Sequence, residues 1–513
     1  MTSFTRTAAD DLTQDPPVRK SPSRSQPRNT RLASVAIASS VLAALYLGFV
    51  FHFATNEPVG DDWNVVPLIH SALHGQLTLS GLWAQHLESR IFFPNLVFVV
   101  SGFIDHFDIR TIILLSAVIY IVCYFILLRL YREYDGHPLT AIPCVVLGLI
   151  WFSFADVKNA LWAFQVAWFM VVFCFVILIY LFSVSSLNRS IALAISLLVA
   201  VVASYSALQG FVLWPLGLFL LFWKTPWSRR TYIDAGIWMI GCVTAVVLLL
   251  RGYSQLIALG TCPAAARCQS GYLVGHLSEA LLFFFRVVGN VYPTTANAVG
   301  AQEIIGAVLA LISIVIVVAS FRERRVRLRV PLPSAIILFS LVFDAMIVYG
   351  RFGYGTPALQ YVMPQVMLLA GIATYLLPRI SRGHFTLRSR RSLIIRGLYF
   401  CSVIPLLLWV IGTTSFGVMQ ARQTQKAAIT EARLVVNLSR IPDDQRFCYE
   451  GIILGGGIWS GALMNTVDAP IFKDAKEDGL SLFSPGAFKI YYSEGPPNLS
   501  GCRPRHGEAV PTH

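Results

Sequence analysis

Along most of this 513-residue chain, apolar residues come in runs of roughly 17 to 25, long enough for a helix to cross about 30 Å of hydrocarbon. Lipid offers backbone N–H and C=O groups no partner, so such runs predict helices, which satisfy those groups internally. Eleven runs qualify, at about 32–54, 109–130, 139–155, 161–183, 190–207, 208–223, 232–250, 303–320, 331–349, 361–377 and 393–418. Two more, 91–104 and 277–288, are shorter and carry Pro94 or Arg286; they read as juxtamembrane or re-entrant helices. The fold class expected is an all-α transmembrane bundle of about eleven spans (residues 32–418), preceded by a disordered cytoplasmic tail over 1–31. A small extracytoplasmic α+β domain over 419–513 follows, where the pattern turns polar and Gly455-Gly456-Gly457 and Pro496-Pro497 mark turns. No internal repeat is visible, which disfavours the inverted-repeat transporter folds.

Composition sharpens this picture. Hydrophobic residues make up 56% of the chain and charged residues 13%, against about 25% charged in an ordinary soluble domain. The net charge of +13 does not point to nucleic acid, because the basic residues sit in short clusters between apolar runs, where they orient insertion. With the amino terminus inside, eleven spans place Arg129/Arg132, Lys224/Arg229/Arg230, the cluster from Arg322 to Arg329 and the cluster from Arg379 to Arg391 on the cytoplasmic face. Counting 91–104 as a further span would put Arg129 and Arg132 outside and invert everything after them. Under the same topology Cys262, Cys268, Cys448 and Cys502 fall outside, where Cys262–Cys268 and Cys448–Cys502 pairing is permitted.

The candidate chemistry gathers in the first outer loop, 55–108, which opens with Gly60-Asp61-Asp62-Trp63. Partial burial and mutual repulsion raise the proton affinity of at least one of two adjacent carboxyls while its neighbour stays ionised. Such a pair suits proton abstraction from a hydroxyl or metal coordination. Asp61 and Asp62 equally suit plain capping of a helix over 63–73. His70, His74 and His86 share the loop and, with Asp61, Asp62 or Glu88, offer ligands for a divalent ion, though no metal signature accompanies them.

At the outer ends of later spans stand Asp156, Lys158, Asn159, Trp162 and Gln165; Tyr205, Ser206 and Gln209; Arg286 with Tyr292 and Asn297; and Arg351 with Tyr354, Gln360 and Tyr361. Their cations suit a phosphate or diphosphate and their aromatics a sugar face; interfacial anchoring is the plain alternative. Asp344 lies inside a span two helical turns from Arg351, as a functional acid or as its ion-pair partner. No Walker loop, dinucleotide-binding glycine fingerprint or serine-hydrolase elbow is present, which argues against a nucleotide-driven reaction.

Taken in order, these features are a first span, an acidic pair, an amphipathic stretch and the element His86-Leu87-Glu88-Ser89-Arg90-Ile91-Phe92-Phe93-Pro94. An apolar half-helix and a second span ending in Arg129-Leu130-Tyr131-Arg132 complete the series. The arrangement resembles the polytopic glycosyltransferases of the GT-C superfamily, which include aminoarabinose, protein O-mannosyl and mycobacterial arabinosyltransferases. The resemblance covers mainly the first 135 residues and the span pattern. It implies a bacterial inner-membrane protein with its carboxyl terminus outside, which moves a sugar from a polyprenyl-phosphate or -diphosphate donor to an extracytoplasmic glycan, lipid or protein. It makes Asp61 the general base and Asp62 its partner or a metal or acceptor contact. Glu88, Arg90, Lys158, Gln165, Arg286, Arg351 and Tyr354 become substrate-binding candidates. Relatives tend to carry Lys-Pro or His-Pro where this chain has Arg90 and then Pro94. The alternatives are a transporter or flippase of a lipid-linked or small polar substrate, and a polysaccharide polymerase or ligase.

Overall fold

The computed structural model describes residues 28–224, 227–254, 270–291, 299–323, 330–352, 357–382, 390–440 and 470–496. Helix α1 (Arg28–Phe53) comes first. The loop over 55–108, expected to lie outside, folds as a 3-10 turn (Gly60–Val65), α2 (Val66–Leu73), the single turn α3 (Leu79–Leu82), an antiparallel ribbon of β1 (Gln85–His86) and β2 (Ser89–Arg90), and α4 (Phe92–Asp105). Helices α5 (Ile109–Asp135), α6 (Ala141–Trp151), α7 (Val157–Ala160), α8 (Val166–Ser183), α9 (Arg189–Ser204), α10 (Leu213–Lys224) and α11 (Arg229–Leu250) follow. After them come α12 (Ser270–Gly275), α13 (Leu277–Val288), α14 (Val299–Glu323), α15 (Leu332–Arg351), α16 (Met363–Arg382) and the 47-residue α17 (Arg390–Val436). Two short helices, α18 (Pro470–Glu477) and α19 (Pro485–Ser493), end the described chain.

Among the described residues, nine helical stretches are long and apolar enough to cross a membrane, α6 and α7 together forming one of them (Ala141–Ala160), so the chain is a multi-pass helical membrane protein. The runs at 190–207 and 208–223 form shorter helices: α9 has 16 residues and α10 has 12, the latter after a 3-10 turn at Leu208–Val212. At 1.5 Å per residue α9 reaches about 24 Å. It stops at Ser204 because the chain turns there beneath the outer loop, where the Leu208 N–H donates to Ser89 Oγ at 3.0 Å. The stretches expected to be short are α4 and α13, of 14 and 12 residues. Cys262, Cys268, Cys448 and Cys502 lie outside the described residues, as do most of the amino-terminal tail and the apolar piece at 452–454. Cys123, Cys144, Cys174 and Cys242 are free thiols.

Burial sorts the helices. Helix α8 is apolar all round and sits centrally, with Val171, Val172, Leu178 and Ile179 fully buried. Helices α11 and α14 each leave one apolar stripe exposed, Ile240-Val243-Val247 and Ile304-Val308-Leu311-Val315, the three-and-four spacing of a lipid-facing side. Glycine sets the closest helix contact: a Cβ on Gly289 or Gly306 would overlap the carbonyls of Gln302 or Phe285. Helices α13 and α14 therefore meet backbone to backbone, the small-residue packing that lipid favours.

Both α18 and α19 lie at the end of the bundle that carries the first outer loop. The Phe472 ring meets Trp63 edge-on at 4.9 Å, and the Ser481 N–H donates to the His106 carbonyl at 2.7 Å. Asn56 closes this junction: its amide donates to the Ser481 carbonyl, and its oxygen accepts from the Ile109 N–H at 3.0 Å.

Candidate functional site

The acidic pair is delivered by a sharp turn. Gly60 takes φ +56°, in the left-handed region that costs other residues, and starts the 3-10 turn that sends its two acids in different directions. Asp62 points inward and is completely buried, and its Oδ2 accepts from the Val59 N–H at 2.9 Å. Capping is thus part of what Asp62 does. Its Oδ1 is buried without a hydrogen-bond partner. Burial, reinforced by Asp61, pushes the Asp62 carboxyl up to about 8, against the opposing pull of the Val59 and Phe164 backbone and of Lys158. Asp61 points outward, its side chain about one-third exposed (32%), with Asn64 Nδ2 at 3.3 Å and His86 Nε2 at 3.7 Å from Oδ1.

Beneath the pair lies the broken connection between α6 and α8. Trp162 donates from Nε1 to the Val59 carbonyl at 3.0 Å, and the Lys158 ammonium stands 5.2 Å from the Trp162 ring centre. The His86 ring lies on Phe164 at 4.8 Å. Asn159 donates to Asp156 Oδ1 and to the Gln360 carbonyl. Around this floor Asp62 Oδ1, His86 Nε2, Asn159 Oδ1 and Gln165 Oε1 are all buried without a hydrogen-bond partner. Orphaned buried polar atoms are uncommon and mark places where water or a ligand completes the bonding.

The ribbon supplies the other wall. Leu87, at φ +48°, turns the chain so that Glu88 stands at its tip. Both Glu88 oxygens accept from Arg351 Nη2, at 3.0 and 3.1 Å, and Arg351 Nε donates to the Tyr361 hydroxyl at 3.1 Å. The structure thus joins Glu88 and Arg351, two candidates 263 residues apart. It corrects one expectation: Arg351 pairs with Glu88, whereas Asp344 is fully buried and accepts from Gln365 Nε2 at 2.7 Å.

Arg90 is spent on the scaffold. Its Nε, Nη1 and Nη2 donate to the carbonyls of Leu249, Trp83 and Arg251, tying the ribbon to the end of α11. Gln85 adds a reciprocal pair with the Ser254 backbone. Arg286 is held by Glu303 at 2.7 Å, between α13 and α14. Tyr354, Tyr292 and Asn297 lie outside the described residues.

His70 and His74 meet neither acid of the pair nor Glu88 in their hydrogen bonding; both contact Asp478, just after α18. Sequence reasoning also passed over Glu57, four residues before Asp61. It is 1% exposed, neither carboxylate oxygen has a partner, and burial, with Glu431 adding to it, holds its carboxyl well above the usual range. Its place between the first apolar run and the acidic pair was the available signal.

No known protein family, characterised protein or solved structure matches this chain. The functional reading therefore rests on the residues, their geometry and the resemblance that the sequence carries.

Proposed function

We propose that the protein is a glycosyltransferase of the GT-C type, taking a sugar from a polyprenyl-phosphate or -diphosphate donor and placing it on an extracytoplasmic glycan, lipid or protein. In this reading α9 and α10 complete eleven spans, the amino terminus is cytoplasmic, and the first outer loop and carboxyl-terminal unit lie outside a bacterial inner membrane. The observation that carries the reading is the contrast within the acidic pair: an accessible Asp61 beside a buried, proton-holding Asp62, above a floor of unpartnered polar atoms.

In the reaction Asp61 takes the proton from the acceptor hydroxyl as its oxygen attacks the anomeric carbon. The bond from that carbon to the donor phosphate oxygen breaks, and the polyprenyl phosphate or diphosphate leaves with the electron pair. Asp62 stays protonated at neutral pH, holds the turn and leaves the single negative charge on Asp61. Lys158 is the cationic group assigned to the leaving phosphate, Arg351, whose charge Glu88 balances, to holding the ribbon wall, and Gln165 to a sugar hydroxyl. Arg90, whose three donor nitrogens end on carbonyls, is assigned to positioning the loop, and Arg286, whose Nε is held by Glu303, to positioning the α13–α14 hairpin.

The test is transfer from radiolabelled polyprenyl-linked sugars in membranes that hold wild type or Asp61→Asn at equal level. The reading expects a loss of at least about a hundredfold in the variant, the contribution of a general base. Equal transfer removes Asp61 as the base, and no transfer by wild type from any such donor removes the class. The transporter reading draws on Asp344, a carboxylate buried within a span. It expects Asp344→Asn to abolish uptake or flipping, whereas the transferase reading expects that variant to keep transfer.

A further inference from the structure

The first outer loop and the carboxyl-terminal segment meet at a cluster that the proposed reaction does not use. His70 and His74 stand four residues apart, at the last turn and C-cap of α2, so both imidazoles leave the helix on one side, ring centres 4.4 Å apart. Both turn toward one carboxylate: His70 Nδ1 lies 2.7 Å from Asp478 Oδ2, and His74 Nε2 lies 3.0 Å from Asp478 Oδ1. One ligand atom from each residue falls within 4.8 Å of the others. We propose that His70, His74 and Asp478 bind a divalent transition-metal ion of the zinc class, which fastens the first outer loop to the carboxyl-terminal segment.

Three features carry the proposal. The donor set of two imidazoles and one carboxylate suits zinc and its neighbours rather than magnesium or calcium, which take oxygen ligands. Charge is the second. A carboxylate between two imidazoles offers a dication an anionic oxygen beside two nitrogen donors. Asp474 and Glu477, on the last turns of α18, add negative charge near His70 and so favour a cation. The third is that the frame is built without the ion. Asp478 is held by a turn that includes Gly479 at φ +61°, by Ser481 bonded to His106 and Asn56, and by the Phe472–Trp63 contact. Its side chain is 7% exposed while that of His74 is 42% exposed, so the cluster opens to solvent on the histidine side, leaving an entry path and room for a water as fourth ligand. Ligand atoms around a tetrahedral zinc stand about 3.4 Å apart, from bonds of about 2.1 Å, so the two His–Asp contacts would open slightly while ligand atoms spread over as much as 4.8 Å would draw together.

This site stands whether or not the protein transfers sugar. The test uses the full-length protein, purified without a histidine tag, stripped with EDTA and dialysed. Zinc or cobalt is then titrated, with bound metal counted by elemental analysis and cobalt read by its visible d–d absorption. The expected result is one ion per chain, an upward shift of the thermal midpoint with zinc and none with magnesium. Affinity should fall by at least about tenfold in His74→Gln and in Asp478→Asn, a loss that even an outer-shell change produces. Absence of stoichiometric binding by wild type overturns the proposal. So does binding that both variants keep at wild-type affinity, or a stabilisation that magnesium matches.

Discussion

The outer end of the molecule and the bundle below it are held together by different means. At the outer end, segments far apart in sequence are joined by directed polar contacts: Glu88 to Arg351, Arg90 to the end of α11, and Asn56 to Ser481. Within the bundle the helices fit by shape, as where Gly289 and Gly306 let α13 and α14 meet, and where Phe175 stacks on Phe339 at 4.1 Å. The solvents explain the contrast. Lipid gives no hydrophobic drive to bring helices together, so close packing selects the arrangement. The loop at the water boundary carries the polar side chains, and those that folding buries there must be paired, so hydrogen bonds select its arrangement.

Three substitutions test that division. The largest loss is expected from Arg351→Ala, which leaves Glu88 half-buried without its guanidinium and lowers stability by up to about 3 kcal/mol in thermal unfolding. The charge-swapped double variant, Glu88→Arg with Arg351→Glu, should recover much of that loss if the pair acts as an ion pair. Equal damage in the double and single variants would show packing at work there instead. Gly306→Leu should cost about 1 to 3 kcal/mol by forcing α14 off α13, with transfer affected only through the amount of folded protein. A stability equal to wild type would remove the backbone contact.

The remaining effect is a gain that depends on pH. The Asp62 carboxyl is raised to about 8 when folded, from an ordinary value of 3.8. A raised acid contributes stability that is complete below 3.8 and is lost as pH climbs through 8. Asn keeps an oxygen for the Val59 N–H and has no charge to bury. Asp62→Asn should therefore gain stability relative to wild type from pH 4 upward, levelling off above 8, and a pH-independent difference would contradict the burial account.

How much the sequence disclosed follows the same division. Apolar run length foretold the helices because lipid imposes one rule on every span, and it foretold that α4 and α13 would be short. Where the chain bends beneath the loop, at Tyr205 to Gln209, hydropathy alone did not foretell how short α9 and α10 are. The adjacency of Asp61 and Asp62 was legible because it is local, whereas the left-handed turn at Gly60 that parts them came from the folded chain. The partners of Glu88, His70 and His74 were not, since they stand 263, 408 and 404 residues away and nothing in a run of residues announces such a meeting. Arg90 and Arg286 read as phosphate ligands by residue type, but their carbonyl and Glu303 partners come from other elements, which only the folded chain supplies.

The account rests on Asp61 standing at the outer surface with Asp62 turned beneath it. The direct measurement is labelling of intact cells with a membrane-impermeant maleimide, in a chain whose nine native cysteines are replaced by serine and which carries Asp61→Cys or Asp62→Cys. Fast labelling of the first and slow or no labelling of the second, without permeabilisation, is the predicted result. Labelling of Asp61→Cys only after the membrane is opened would place the pair inside the cell and contradict the account.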